Sequence, residues 1–148
     1  MDILTNFTEF LQACITPVAL ISGVGLLLLT ITNRLGRVVD RIRHLVAELD
    51  NPGIKREEIK ANEVKILLRR GRILRNSIAW LMIVMISSCL IIPLLLAISL
   101  AGWNLRLIGY LLFFISILSL FVSLIYFFKD VLLSMNAIRL EATEYIGK

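Results

Sequence analysis

Three long apolar runs divide the chain, at about residues 10–32, 77–100 and 105–128. The first two runs contain no charged residue, and the third contains only Arg106. A helix rises about 1.5 Å per residue, so each run is long enough to cross a hydrocarbon core about 30 Å thick. The pattern therefore predicts an all-α membrane protein with three transmembrane helices.

Between the first two runs, apolar residues recur at alternating intervals of three and four on a polar background. This pattern is typical of amphipathic helices that pair along an apolar seam. Residues 50–53, Asp-Asn-Pro-Gly, interrupt it with turn-forming chemistry. We therefore expect residues 34–76 to form a helical hairpin that extends the first two transmembrane helices into water. Its two seams are Leu35, Val38, Ile42, Leu45 and Leu49, and Val64, Leu67, Gly71, Leu74 and Ile78.

A third amphipathic stretch follows the last apolar run, at about residues 129–147. It predicts a tail helix in water that continues the third transmembrane helix. Its seam is Val131, Met135, Ile138, Ala142 and Tyr145. The length of the chain fits one membrane domain over residues 1–148. Because coiled-coil seams in water need partners, and three spans of one small chain bury little surface, we expect a homo-oligomer.

The distribution of charge predicts how the chain is oriented. Hydrophobic residues make up 58% of the sequence and the net charge is +5. The charge is concentrated in residues 33–76, where twelve Lys or Arg and six Asp or Glu give a net charge of +6. Basic loops remain on the cytoplasmic side of a membrane. We therefore expect the hairpin and the C-terminus in the cytoplasm and the N-terminus outside, with Arg106 as the one base in the outer turn.

The sequence offers no set of residues suited to catalysis or metal binding. Cys14 and Cys89 lie inside apolar runs, where cysteines are typical packing residues. The single histidine, His44, has no nucleophile or orienting acid at a suggestive spacing. We therefore expect no enzyme, no cofactor and no metal site. No charged residue lies deep in a predicted span, which argues against pumps and ion-coupled transporters.

One face of the first helix becomes more polar toward the hairpin. Residues spaced by seven share this face. They are Thr16, Gly23, Thr30, Arg37 and His44. Copies of the helix around an axis would enclose a pore, with Leu27 as a constriction and arginines as a basic vestibule. In the alternative interpretation, the face packs on the other two helices and the arginines contact water and lipid phosphates. The pore-lining candidates are Thr16, Gly23, Leu27, Thr30, Arg34, Arg37 and Arg41.

Small residues in the first and third apolar runs predict close helix packing, because small side chains let helices approach each other in a bilayer. The candidate packing residues are Ala19, Ser22 and Gly25 in the first run, and Ser116, Ser119 and Ser123 in the third. Two alternatives stay open. In the first, the helix turn around Gly25, where the side chains are small, would line a pore or open locally. In the second, the three serines would line a transport path.

Four arginines form a basic cluster where the hairpin meets the second apolar run. They are Arg69, Arg70, Arg72 and Arg75. At this level they attract anionic lipid headgroups, with about 1 kcal/mol for each base near the surface. A soluble anionic ligand, such as a nucleotide, is the alternative. We expect no nucleic-acid partner, because the cluster lies against the bilayer and acids dilute the charge of the segment.

Two functions fit this pattern. The first is a homo-oligomeric ion channel or pore that is lined by the first helix and has a basic cytoplasmic vestibule. The alternative is a non-conducting scaffold or regulatory subunit whose cytoplasmic helices bind a protein partner.

Three short motifs carry a resemblance to a known family. They are Pro17-x-x-Leu20-Ile21-Ser22-Gly23-x-Gly25-Leu26-Leu27, then Thr32-Asn33-Arg34, and Arg69-Arg70-x-Arg72-x-Leu74-Arg75. With these motifs the chain resembles, over nearly its whole length, a family of small bacterial membrane proteins that is catalogued only as a domain of unknown function. The resemblance implies an integral protein of the bacterial inner membrane and implies no particular activity.

Overall fold

The computed structural model contains three α-helices among the residues that it describes. They are α1, Asp2–Leu49, α2, Glu57–Ala101, and α3, Arg106–Ile146. The structure describes the backbone of residues 2–49, 57–101 and 105–146, and the side chains of residues 8–48, 60–98 and 105–135. The predicted turn at 50–53 lies outside the described residues. The all-α prediction with three helices is confirmed.

Each helix continues without a break from its apolar run into its amphipathic stretch. The described parts of all three helices are long and apolar enough to cross a membrane. They are Thr8–Glu48, Lys60–Ile98 and Arg106–Met135. Only 17–22% of the most apolar stretch of each helix is buried within the chain. Large apolar side chains therefore cover the outer surface, as lipid contact requires, and the chain is a multi-pass membrane protein.

The chain forms two compact units, and each helix contributes to both. Unit 1 comprises Met1–Leu29 and Ala79–Ser123, and unit 2 comprises Thr30–Ile78 and Leu124–Lys148. Unit 1 therefore holds most of the sequence of the apolar runs. Unit 2 holds the amphipathic stretches that follow or precede them.

The interior of unit 1 is built from small and medium-sized side chains. The buried residues are Pro17 and Val24 of α1, Leu81, Val84, Ser87 and Ser88 of α2, and Ser116, Ser119 and Ser123 of α3. A serine hydroxyl inside a helix can bond to a carbonyl of the preceding turn, and Ser116 donates to Leu112 O at 3.0 Å. The hydroxyl of the buried Ser88 has no hydrogen-bond partner among the described residues. Side chains of this size permit close contact between helices where lipid supplies no hydrophobic driving force.

The interior of unit 2 follows the two predicted hairpin seams. The seam residues Val38, Leu45, Leu67 and Leu74 are buried, and Leu35, Ile42, Val64, Gly71 and Ile78 are partly buried. A Cβ at Gly71 would lie 3.8 Å from both Leu35 Cδ1 and Val38 Cγ1, so α1 and α2 approach closely at this glycine. Leu49 lies outside the residues whose side chains are described.

Two residues of the seam predicted for the tail helix have described side chains, and neither is fully buried within the protomer, so the pairing of this seam with a partner stays a prediction. Met135 is 61% exposed, and Val131 is partly buried. The interior position is instead taken by Asp130, which is fully buried. The other predicted seam residues lie outside the residues with described side chains.

Candidate functional site

Three charged side chains, one from each helix, meet inside unit 2. The Asp130 carboxylate accepts a hydrogen bond from Arg70 Nε at 3.1 Å through Oδ1. Its second oxygen, Oδ2, lies 3.3 Å from Arg34 Nη2. The Asp130 side chain is 0% exposed, whereas Arg34 and Arg70 are 25% and 15% exposed. We call these three residues the arginine–aspartate cluster.

Helical spacing explains why these three residues converge. Arg34 follows the buried Ile31 by three residues, and Arg70 follows the buried Leu67 by three. Residues separated by three lie on the same helix face. Asp130 follows the buried Ser123 by seven residues, which returns it to the interior face of α3. Each charge therefore occupies an interior position of its own helix.

The arginine–aspartate cluster pairs one buried acid with two bases. Burying a carboxylate away from water costs several kcal/mol unless opposite charges compensate it. Two guanidinium groups provide this compensation and leave the cluster with a net charge of +1. The Arg34 guanidinium also lies 5.4 Å from the centre of the Phe127 ring, within range of a cation–π contact.

The contact between Arg34 and Asp130 is an ion pair and lacks hydrogen-bond geometry. Among the described residues, Asp130 Oδ2 has no hydrogen-bond partner. Arg70 is therefore the residue that orients the carboxylate, and Arg34 supplies charge. The described residues include no group of three or more His, Cys, Asp or Glu that could hold a metal ion. The arginine–aspartate cluster is therefore suited to hold the three helices together through opposite charges.

Two further ion pairs join α1 to α2 at the surface of unit 2. Arg41 Nη2 lies 3.0 Å from Glu63 Oε1, and Lys60 Nζ lies 2.6 Å from Glu48 Oε2. Solvent screens such exposed pairs, so each contributes little to stability. They connect the two arms of the predicted hairpin and pair one of the predicted pore-lining arginines with an acid.

The predicted pore-lining residues fall into two groups in the structure. Those spaced by seven on α1 are exposed on its outer face. They are Thr16, Gly23, Thr30 and Arg37, together with His44. Leu27 is partly buried, Arg34 belongs to the arginine–aspartate cluster, and Arg41 pairs with Glu63. The face formed by the exposed residues therefore does not pack on α2 or α3 within the protomer.

The predicted packing residues also divide between inside and outside. Ser116, Ser119 and Ser123 are buried. Ala19 and Ser22 are exposed, and Gly25 is partly buried with open space where a Cβ would stand. Ala19 and Ser22 of α1 thus face away from the interior of their own protomer, whereas the three serines of α3 form part of it.

The predicted arginine cluster is divided in the same way. Arg69, Arg72 and Arg75 are exposed, whereas Arg70 turns inward to Asp130. Sequence reasoning missed Asp130. The signal was present, because Ser116, Ser119, Ser123 and Tyr126 alternate by three and four, and the next step of four reaches Asp130. Carrying this seam past the end of the apolar run would have found it.

Comparisons with known proteins identify the family. A family model described as a protein of unknown function, DUF2721, matches residues 14–140. This range contains all three residues of the arginine–aspartate cluster and the whole exposed face of α1 from Thr16 onward. No curated protein and no solved structure matches the chain.

Proposed function

The chain belongs to the DUF2721 family, whose function is unknown, and we propose that it forms a homo-oligomeric channel whose pore is lined by α1. One observation carries this proposal. Small and polar residues are exposed along α1 at intervals of seven, on a helix that is long and apolar enough to cross a membrane. We call this set the α1 stripe, and it comprises Thr16, Gly23, Thr30, Arg37 and His44.

The α1 stripe lacks the large apolar side chains that are common on the exposed surface of the spans. Phe114, Phe121 and Phe128 are examples of such side chains, which are suited to lipid. Small and polar residues in a span favour contact with another helix over contact with lipid. A ring of copies around a closed symmetry axis would cover the stripe on every protomer. The stripe would then surround the axis and provide a weakly polar path.

Within this proposal the arginine–aspartate cluster sets which face of α1 points outward. Rotating α1 within the protomer would separate Arg34 from Asp130. The cluster therefore holds the register that presents the α1 stripe. Leu27 forms the narrowest apolar point of the pore, and Arg37 lies in a basic vestibule beyond it.

We propose that the channel lies in the bacterial inner membrane, with the hairpin and the C-terminus in the cytoplasm. The net charge of +6 between residues 33 and 76 supports this orientation. Arg69, Arg72 and Arg75 are exposed and available to anionic headgroups on the same side.

Assembly is tested by replacing Gly23 with leucine. Apart from the neighbouring residues and backbone of α1 itself, no described atom lies within 4 Å of a Cβ at Gly23, so the protomer accommodates a larger side chain. Between copies, leucine would prevent the close approach of two α1 helices. We expect association of the purified protein to weaken at least tenfold, about 1.4 kcal/mol. Multi-angle light scattering in detergent measures the mass of the complex over a dilution series.

The matched control for this substitution is Gly36→Leu. Gly36 is also exposed on α1 with open space around its Cβ, and it lies off the α1 stripe. This variant should associate like the wild type. A monomeric wild-type protein, or equal weakening by both substitutions, would contradict an assembly formed through the stripe.

Conduction is tested by reversing the charge of Arg37. Purified wild-type protein in planar bilayers should give discrete currents. Arg37→Glu should change the single-channel conductance severalfold and shift selectivity toward cations, because it reverses a charge near the pore. Arg43→Glu is the control, since Arg43 is exposed on α1 about 120° away from Arg37. Equal effects of the two reversals would exclude a pore along the stripe.

The alternative function is a non-conducting scaffold or regulatory subunit that binds a cytoplasmic protein. Exposed apolar side chains on the predicted hairpin favour it, since water does not cover such residues without cost. They are Val39 and Val46 on α1, and Ile66 and Leu68 on α2. An oligomer that gives no current in the bilayer experiment would favour this alternative over the channel.

A further inference from the structure

Unit 1 contains an open-sided groove with a volume of about 320 Å³. Each of the three helices contributes four residues, spaced as i, i+3, i+4 and i+7, so each presents two turns of one face. The lining runs from Ala13 to Leu20 on α1, from Ile91 to Ile98 on α2, and from Arg106 to Phe113 on α3. Seven residues of helix span about 10 Å, which gives the length of the groove.

We propose that this groove binds a phospholipid with an anionic headgroup, with one acyl chain in the groove and the phosphate at Arg106. The proposal concerns a different surface from the basic residues of the hairpin, and it stands whether or not the protein conducts. Arg69, Arg72 and Arg75 precede the second apolar run in the sequence, whereas the groove residues of α2 lie near the end of that run.

The shape and chemistry of the groove fit one acyl chain. Its lining is apolar apart from Thr16, Arg106 and Tyr110. Phe113 and Tyr110 are exposed at its side, so a chain can enter from the surrounding bilayer. One leaflet occupies about half of a hydrocarbon core of about 30 Å. A groove about 10 Å long therefore accommodates most of the length that one acyl chain spans within its leaflet.

Arg106 supplies the recognition of the headgroup. It is the only charged residue in the three apolar runs, and it is exposed at the first position of α3. Tyr110 lies one turn further along the same face and is 72% exposed. A guanidinium binds phosphate through paired hydrogen bonds, and a tyrosine hydroxyl adds a donor at the interface. A phosphate without an acyl chain would leave the apolar groove unfilled.

The competing occupant is a second copy of the chain. Thr16 belongs both to the groove and to the α1 stripe, so an assembled oligomer could place a neighbouring helix there. The charge distinguishes the two occupants. Arg106 faces no acid in the groove lining and complements a phosphate, whereas an apolar helix from a second copy would not need a guanidinium.

The experiment measures lipid binding to the full-length protein by native mass spectrometry. Phosphatidylglycerol and phosphatidylcholine with identical acyl chains are titrated into protein freed of lipid in detergent. We expect phosphatidylglycerol to bind at least tenfold more tightly. Arg106→Gln should reduce this preference to near unity, whereas Arg106→Lys should keep most of it. Excess inorganic phosphate should not displace the lipid, because it lacks the acyl chain.

A second variant tests the groove itself. Ala13→Phe places a ring in the groove from an exposed position on α1 and should lower binding of both lipids at least tenfold. Leu11→Phe is the control, since Leu11 is exposed on the same helix outside the groove. Circular dichroism checks that each variant retains its helices.

Three results would overturn the proposal. One is equal affinity for the two lipids, and another is a preference that Arg106→Gln leaves unchanged. The third is an Ala13→Phe variant that alters the mass of the oligomer while lipid binding stays the same, which would assign the groove to a second copy.

Discussion

Replacing Asp130 with asparagine should lower the free energy of unfolding by about 3–5 kcal/mol, the typical cost of removing one partner from a buried ion pair. The carboxylate is fully buried and contacts Arg34 and Arg70 from two other helices. Asparagine has nearly the same shape but no charge. It would leave two partly buried guanidinium groups without a counter-ion, and their mutual repulsion would push α1 and α2 apart.

Unfolding of the purified protein in mixed detergent micelles, followed by circular dichroism, measures this loss. Asp40→Asn is the control, because Asp40 is an exposed acid on α1 and its loss should change stability by less than about 0.5 kcal/mol. Replacing all three cluster residues with Leu or Met should restore much of the stability, since apolar side chains of similar volume can substitute for a buried charge cluster.

These variants separate a structural from a functional role for the arginine–aspartate cluster. A triple variant that is stable but has lost its currents would show that the cluster does more than hold the helices together. An Asp130→Asn variant as stable as the wild type would contradict the buried ion pairs described above.

Much of the fold was predictable from the sequence because its helices obey simple periodicities. The hairpin seams at intervals of three and four identified Val38, Leu45, Leu67 and Leu74 as interior residues, and all four are buried. Apolar runs of more than twenty residues likewise predicted three long helices. In both cases one local property, the position of apolar side chains along a helix, determines the outcome.

The burial of Asp130 was harder to predict, because an acid interrupts an apolar pattern and is normally assigned to the surface. Its burial depends on two arginines that are distant in sequence and are brought to it by the packing of all three helices. A pattern along one helix does not contain that information. The serine seam of α3 pointed to Asp130, but the compensating charges of Arg34 and Arg70 could be assigned only from the structure.

The orientation of α1 was ambiguous for a different reason. Two sets of residues spaced by seven run side by side along this helix. One is buried and comprises Pro17, Val24, Ile31, Val38 and Leu45, and the other is the exposed α1 stripe. Neighbouring residues lie only about 100° apart on a helix. The sequence therefore allowed the polar set to face the other helices, and the contacts made by α2 and α3 decide between the two.

The last prediction concerns two adjacent arginines that the sequence treats alike. Arg70→Gln should lower the free energy of unfolding by about 2–3 kcal/mol, because it leaves the buried Asp130 with Arg34 as its only charged partner in the cluster. Arg69→Gln removes the same charge from an exposed position one residue away and should change stability by less than about 0.5 kcal/mol. The same unfolding experiment in mixed micelles compares them.

Lipid binding should distinguish the same two arginines in the opposite order, with the larger effect at Arg69. Arg69 is exposed beside Arg72 and should contribute to the attraction of anionic vesicles, by about 1 kcal/mol for each base near the surface. Arg70 should contribute less, since its guanidinium is held by a carboxylate. Equal losses of stability for Arg69→Gln and Arg70→Gln would mean that both act only as surface charge. A large difference in the loss of stability would establish that Arg70 belongs to the interior of the protein, unlike the exposed Arg69. There it holds the helices together, and we propose that the outer face of one of them, α1, lines the pore.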